Sequence, residues 1–171
     1  IAGVTAVIKD LLDSGLIDHA ITDTLGAGVV VTALAPDTIS LDNQESPQLN
    51  LFLHQVTPNI AWRNAALPSR DAAGNRVSNP PLALDLHYLL TAYGRAELQA
   101  EVLLGYALQL LHETPVLPRD AIRRALNPAV VDGAILPTVY QSLRGADLAE
   151  QVELLKITPA ALGTEEMSRL W

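Results

Sequence analysis

A chain of 171 residues is long enough for one domain and hardly for two; it can bury roughly 70% of its unfolded surface, so no disulfide or metal staple is required. Hydrophobic residues make up 49% and charged residues 18%, which excludes intrinsic disorder. A net charge of −8 argues against nucleic acid as a partner, and the absence of cysteine excludes thiolate zinc sites, iron–sulfur clusters, cysteine nucleophiles and a disulfide framework.

Val4, Val7, Ile8, Leu11, Leu12 and Leu16 recur at helical spacing opposite Thr5, Lys9, Asp10 and Asp13, which predicts an amphipathic helix ending near Gly15. Gly26 to Leu34 (GAGVVVTAL) reads as a β-branched strand stopped by Pro36. Gln48 to Val56 alternates, with Leu49, Leu51 and Leu53 on one face and Asn50, Phe52 and His54 on the other. Leu82 to Leu90 alternates in the same way, and the two runs are natural antiparallel neighbours. Ala96 to His112 reads as a helix with a narrow polar stripe, stopped by Pro115 and Pro118, and so covered over most of its girth. A short helix, Arg119 to Leu126, precedes Asn127-Pro128, and a last strand is expected at Val152 to Ile157. Thr164, Glu165 and Glu166 open a further helix, because an acidic first turn complements the macrodipole. The elements together predict an α+β fold, a single mainly antiparallel sheet packed with helices, formed by residues 1–171 as one domain. A start at Ile1 and a stop one turn into that final helix suggest an ordered portion of a longer protein, truncated at both ends. No basic-then-apolar leader is visible, and no run approaches the roughly 18 apolar residues that cross a bilayer.

The connection Thr57 to Pro81 is about 25 residues long, far above the hairpin norm, and loops of that length are usually functional or disordered. It carries Arg63, Arg70 and Arg76 against Asp71 alone, whereas residues 1–57 hold seven acids and one lysine. An acidic body with a basic, Trp62-tipped arm suits docking on a neighbouring copy; a solvated loop is the alternative.

Candidates for chemistry are sparse. Asp85 and His87 share a strand face, with His54 on the adjoining strand, which is the raw material of a small hydrolase or a metal ligand pair. No H-E-x-x-H accompanies them, and a polar sheet face explains the pattern equally well. No serine sits in G-x-S-x-G, no phosphate-binding loop exists, and Gly26-Ala27-Gly28 precedes a strand where a dinucleotide fingerprint follows one. Arg119, Arg123 and Arg124 share one short helix, either as a contact patch or as a solvated basic face.

Four segments carry a resemblance: NLFLHQVTPNIAWRN (Asn50 to Asn64), PPLALDLHYLLTAYG (Pro80 to Gly94), AEVLLGYALQLLHETPVLPR (Ala100 to Arg119) and the terminal ELLKITPAALGTEEMSRLW. Over nearly its whole length the chain resembles the N-terminal domain of cap proteins from extracellular contractile injection systems. That resemblance implies a fold similar to phage tail terminators and a hexameric ring of copies of itself. The ring ends tube and sheath polymerisation and touches the inner tube and sheath proteins, with no enzyme activity, cofactor, small-molecule substrate or nucleic acid. It implies cytoplasmic assembly, then life as part of the particle. The expected interface residues are Trp62, Arg63, Asn64, Arg70, Arg76, Arg119, Arg123 and Arg124, and the expected edge for the last sheath layer is Val152 to Ile157 or a strand beyond Trp171. An assembly chaperone that binds tube or sheath subunits in solution is the alternative.

Overall fold

A computed structural model of the chain describes residues 1–18, 28–40, 46–62, 71–77, 82–127, 148–150 and 155–170. These form α1 (Ala2–Asp18), β1 (Val30–Thr32), β2 (Gln48–Pro58), β3 (Leu84–Tyr93), α2 (Gln99–Glu113), α3 (Arg119–Leu126) and α4 (Thr164–Leu170), with single 3-10 turns at Pro36–Thr38 and Leu148–Glu150. The fold is α+β. Its sheet runs in the order β1-β2-β3, with ten antiparallel pairs between β2 and β3 and a short parallel pairing of β1 with β2.

Helix α1 is apolar on two sides. Ile8, Leu12 and Leu16 are buried against Val31, Leu49 and Leu51 of the sheet and against Leu103 and Ala107 of α2. Ala6 and Val7 enter a second cluster with Leu117, with Ile122, Ala125 and Leu126 of α3, and with Ala149. The helix runs through Gly15 to Asp18 because that glycine is a packing site and no stop signal: a Cβ there would collide with the Leu110 side chain of α2. The Thr5 and Tyr88 hydroxyls, 2.7 Å apart, add a polar tie between α1 and β3. Burial pushes the Tyr88 pKa up, and the bond to Thr5 opposes that shift.

Asn50, fully buried, finishes what the three residues of β1 leave open. Its Oδ1 accepts from Thr32 Oγ1 (2.9 Å) and from the Leu34 N–H (2.9 Å), and its Nδ2 donates to the Leu34 carbonyl (3.0 Å). The side-chain amide stands in for a strand partner, so the buried polar groups are satisfied at the point where the ladder stops. Gln48 Nε2 donates to Thr32 Oγ1 at 2.6 Å and extends the same network.

Other boundaries also differ from expectation: β3 runs Leu84–Tyr93 where Leu82 to Leu90 is expected, and β1 is Val30–Thr32 within the expected Gly26 to Leu34. α2 begins at Gln99, not Ala96, because the Gln99 side-chain Oε1 accepts the N–H groups of Arg95 (3.0 Å) and Ala96 (3.3 Å) and holds them in a turn. The strand expected at Val152 to Ile157 has residues 155–157 described, and these form only an isolated antiparallel bridge between Lys156 and Val116. Their hydrogen bonds go to the segment between α2 and α3, from the Leu117 N–H to the Leu155 carbonyl and from the Ile157 N–H to the Pro115 carbonyl. This piece therefore latches the α3 cluster and is not an edge of the sheet.

Two predictions follow from the placement of α1. Leu12 has no solvent exposure, so Leu12→Ala should cost about 2–5 kcal/mol in urea denaturation by opening a cavity between sheet and helices. Asp10, crowded by protein atoms and by Asp13, has its carboxyl pKa raised, with Arg124 and Lys9 pulling it the other way. A folded-state pKa above the unfolded value favours folding in acid, and that contribution is lost as pH rises through the folded pKa. Asp10→Asn should therefore raise Tm at pH 7 and leave it unchanged near pH 3; equal shifts at both would contradict the assignment.

Candidate functional site

The far half of the β2–β3 ribbon gathers His54, Asp85 and His87, with Trp62 just beyond it. The register shifts between Leu53 and Gln55, so His54 is the extra residue of a β-bulge. The His54 and His87 rings lie with centroids 6.2 Å apart, tilted by 57°. His87 does not meet Asp85: its Nε2 is 3.0 Å from Thr57 Oγ1, while Asp85 Oδ1 accepts from Asn59 Nδ2 at 2.7 Å. The structure brings the two imidazoles together and engages the carboxylate elsewhere, so the hydrolase-like arrangement is not assembled. Among the described residues no three His, Asp or Glu side chains gather to hold a metal ion.

Asn59 roots the arm. Its backbone N–H donates to the Ala83 carbonyl (3.0 Å), its Nδ2 holds Asp85, and its Oδ1 accepts the Trp62 N–H at 2.9 Å. Three bonds from one residue fix the first turn beyond β2 and hold Trp62, half-buried, close to the start of β3. Further along, Asp71 closes its own turn. Its carboxylate accepts the N–H groups of Ala73 (2.9 Å) and Asn75 (2.8 Å), and Gly74 supplies the positive φ of 84°. Bonds from Asn75, through its side chain and then its backbone, lower the Asp71 pKa most. The one acid of the arm is thus occupied by loop geometry, and exposed Arg76 follows directly. Arg63, Asn64 and Arg70 lie outside the described residues.

The arginines of α3 work at close range. Arg123 pairs with Asp120 (3.0 Å) and with Glu150 (2.6 Å), and half-buried Arg119 donates to the Ala149 carbonyl. Hydrogen bonding to Arg123, and then its charge, lowers the Glu150 pKa. Two of the three therefore clasp the Leu148–Glu150 turn, while Arg124 is exposed and lowers the Asp10 pKa across the α1–α3 seam. The described residues thus offer surfaces, rods and turns held by hydrogen bonds, and no gathered set of reactive groups.

A family model for the Pvc16 N-terminal domain matches residues 3–171. The chain belongs to that family. Searches of the curated proteins and of the solved structures find no match. The family ties the chain to contractile injection systems and is not a known enzyme family. No described helix is long and apolar enough to cross a membrane.

For a member of this family the informative residue that pattern reading passed over is Asn59. Its signal was present in the Pro58-Asn59 step after a strand, a turn opener whose side chain bonds its own backbone a few residues on. Asn59→Ala should release the Trp62 amide and leave Asp85 to water. Expected are faster hydrogen exchange at Trp62 and a stability loss of about 1 kcal/mol, with β2–β3 pairing intact. Unchanged exchange at Trp62 would contradict the anchoring role.

Proposed function

We propose that this chain is the ring-forming cap of a contractile injection system, a hexameric terminator that ends tube and sheath polymerisation and stabilises the distal end of the particle. The family match over residues 3–171 carries the reading. Its partners are further copies of itself, the inner tube protein and the sheath protein, and it acts by contact, without reaction or cofactor. It is assembled in the cytoplasm and leaves as part of the particle.

The charge pattern supports ring formation. Each interface of a closed ring joins two different faces of one subunit, which must complement each other. Residues 1–57 hold seven acids against Lys9, while the arm between β2 and β3 holds Arg63, Arg70 and Arg76 against Asp71. Asp71 is engaged in its own turn, which leaves the arm's character basic. Trp62 is the anchor in this reading, since buried aromatics dominate interface energies.

Particles produced without the chain should show tubes and sheaths of uncontrolled length and lack density at one end in negative stain. If the chain instead co-purifies only with soluble tube or sheath subunits, it is an assembly chaperone. Arg63→Glu combined with Arg70→Glu should shift the ring toward smaller species in native mass spectrometry. A full-size ring that persists on dilution would remove the arm from the interface.

A further inference from the structure

We infer that the apolar tip of the β2–β3 ribbon in one copy docks on the outer face of α2 in the next copy. The inference rests on the ring reading above and names its interface.

The bulge creates the donor surface. Up to Leu53, the leucines of β2 face the helices. Beyond the bulge the pairs are Val56 with Leu86 and Pro58 with Leu84, so apolar residues, not Gln55 and Thr57, continue that same face outward. The helices cover only the inner half: Leu49 and Leu51 are buried, Val56 is exposed, and beyond the last pair Ile60 is 83% and Leu82 79% exposed. Ile60 and Leu82 flank the hydrogen bond from the Asn59 N–H to the Ala83 carbonyl, so the tip has a defined shape before it meets anything.

The receiving surface is on α2. Leu98, Val102 and Tyr106 recur every fourth residue and are exposed. Gly105 sits within this face with no atom within 4 Å of where a Cβ would be, so another backbone can approach the helix closely. Leu98 is held at φ 63°, a left-handed conformation that is strained for a leucine. Its side chain is 63% exposed, so it contributes little to this subunit's own core. A bulky residue strained toward solvent at the head of an apolar stripe is suited to an incoming surface.

Charge selects a second copy as the occupant. The segment joining β2 to β3 carries Arg63, Arg70 and Arg76 against Asp71, while α2 and the turn before it carry Glu97, Glu101 and Glu113 against Arg95. By composition the segment joining β2 to β3 is basic and the α2 segment acidic, which suits an apolar centre bordered by complementary charge. Leu98 follows the Gly94 turn at the Tyr93 end of β3 and Leu82 precedes the Leu84 end, with ten residues of strand, ~33 Å, between those ends, while α2 packs over the inner half of the ribbon. Two different surfaces of one subunit join head to tail, which is the contact that closes rings.

Two variants of the full chain test this: a tip variant, Ile60→Asp with Leu82→Asp, and a face variant, Val102→Asp with Tyr106→Asp. All four side chains are exposed, so circular dichroism and Tm should match the parent. In native mass spectrometry each variant alone should lose at least about tenfold of its ring population, since a charge placed in an interface centre costs more than 1.4 kcal/mol. Mixed one to one, they should give a heterodimer and nothing larger, because only one intact tip and one intact face remain. The chain has no cysteine, so Leu82→Cys with Val102→Cys should give a ladder of disulfide-linked multimers, and either change alone should not. Variants that still form rings, or a mixture that stays monomeric, would overturn this interface and leave the ring reading standing. A parent chain that never assembles would overturn both.

Discussion

The fold depends on α1 being buried from two directions. A surface helix covers one core; this one is the shared wall of two, with Leu12 and its neighbours closing the sheet side and Val7 closing the α3 side. The sheet alone is too small to stand by itself, since β1 has three residues and β3 has an open side among the described residues. α3 is a helix of eight residues, too short to persist without a partner. Both become stable by packing on the same cylinder. Little polar surface remains on α1, and on it the Asp10 carboxyl has its pKa raised by burial and by Asp13.

Much of this was legible in the sequence where period and punctuation agree. The alternating runs at β2 and β3 pair as expected, and α3 occupies Arg119–Leu126 because prolines bracket it. The second face of α1 was less legible: Ala6, Val7 and Leu11 look like the margin of one stripe until α3 is seen against them. The bulge at His54 was not legible, because strict alternation through Val56 is what a regular strand predicts. Leu155 to Ile157 has the composition of a strand but finds its partners at Pro115 to Leu117, and no propensity reveals which backbone will be nearby.

The candidate site shows the same division. The types of residue at the ribbon end could be named from spacing, and their pairing could not. Asp85 and His87 share a face as the period of two requires, yet the carboxylate bonds Asn59 and the imidazole meets Thr57. The arginines of α3 looked alike in sequence, and the structure gives them different work because Ala149 and Glu150 lie against only part of the helix. What the sequence did convey was the family, because long stretches of ordinary residues in order are more specific than any short motif here.

The β2–β3 ladder also has mechanical consequences. A tension applied at the ribbon tip along the strand axis pulls β2 and β3 the same way, so it is carried by both backbones and does not shear the ten pairs between them. A force that lifts the tip away from the sheet plane instead bends the ribbon, beginning with its exposed outer part. The ribbon is thus a strap, stiff in one direction and compliant in the other. The bulge at His54 is where the two regimes meet, since the ladder is interrupted there and the outer pairs can bend without disturbing the buried ones. A component held against moving neighbours would survive longest if its load ran along β2 and β3.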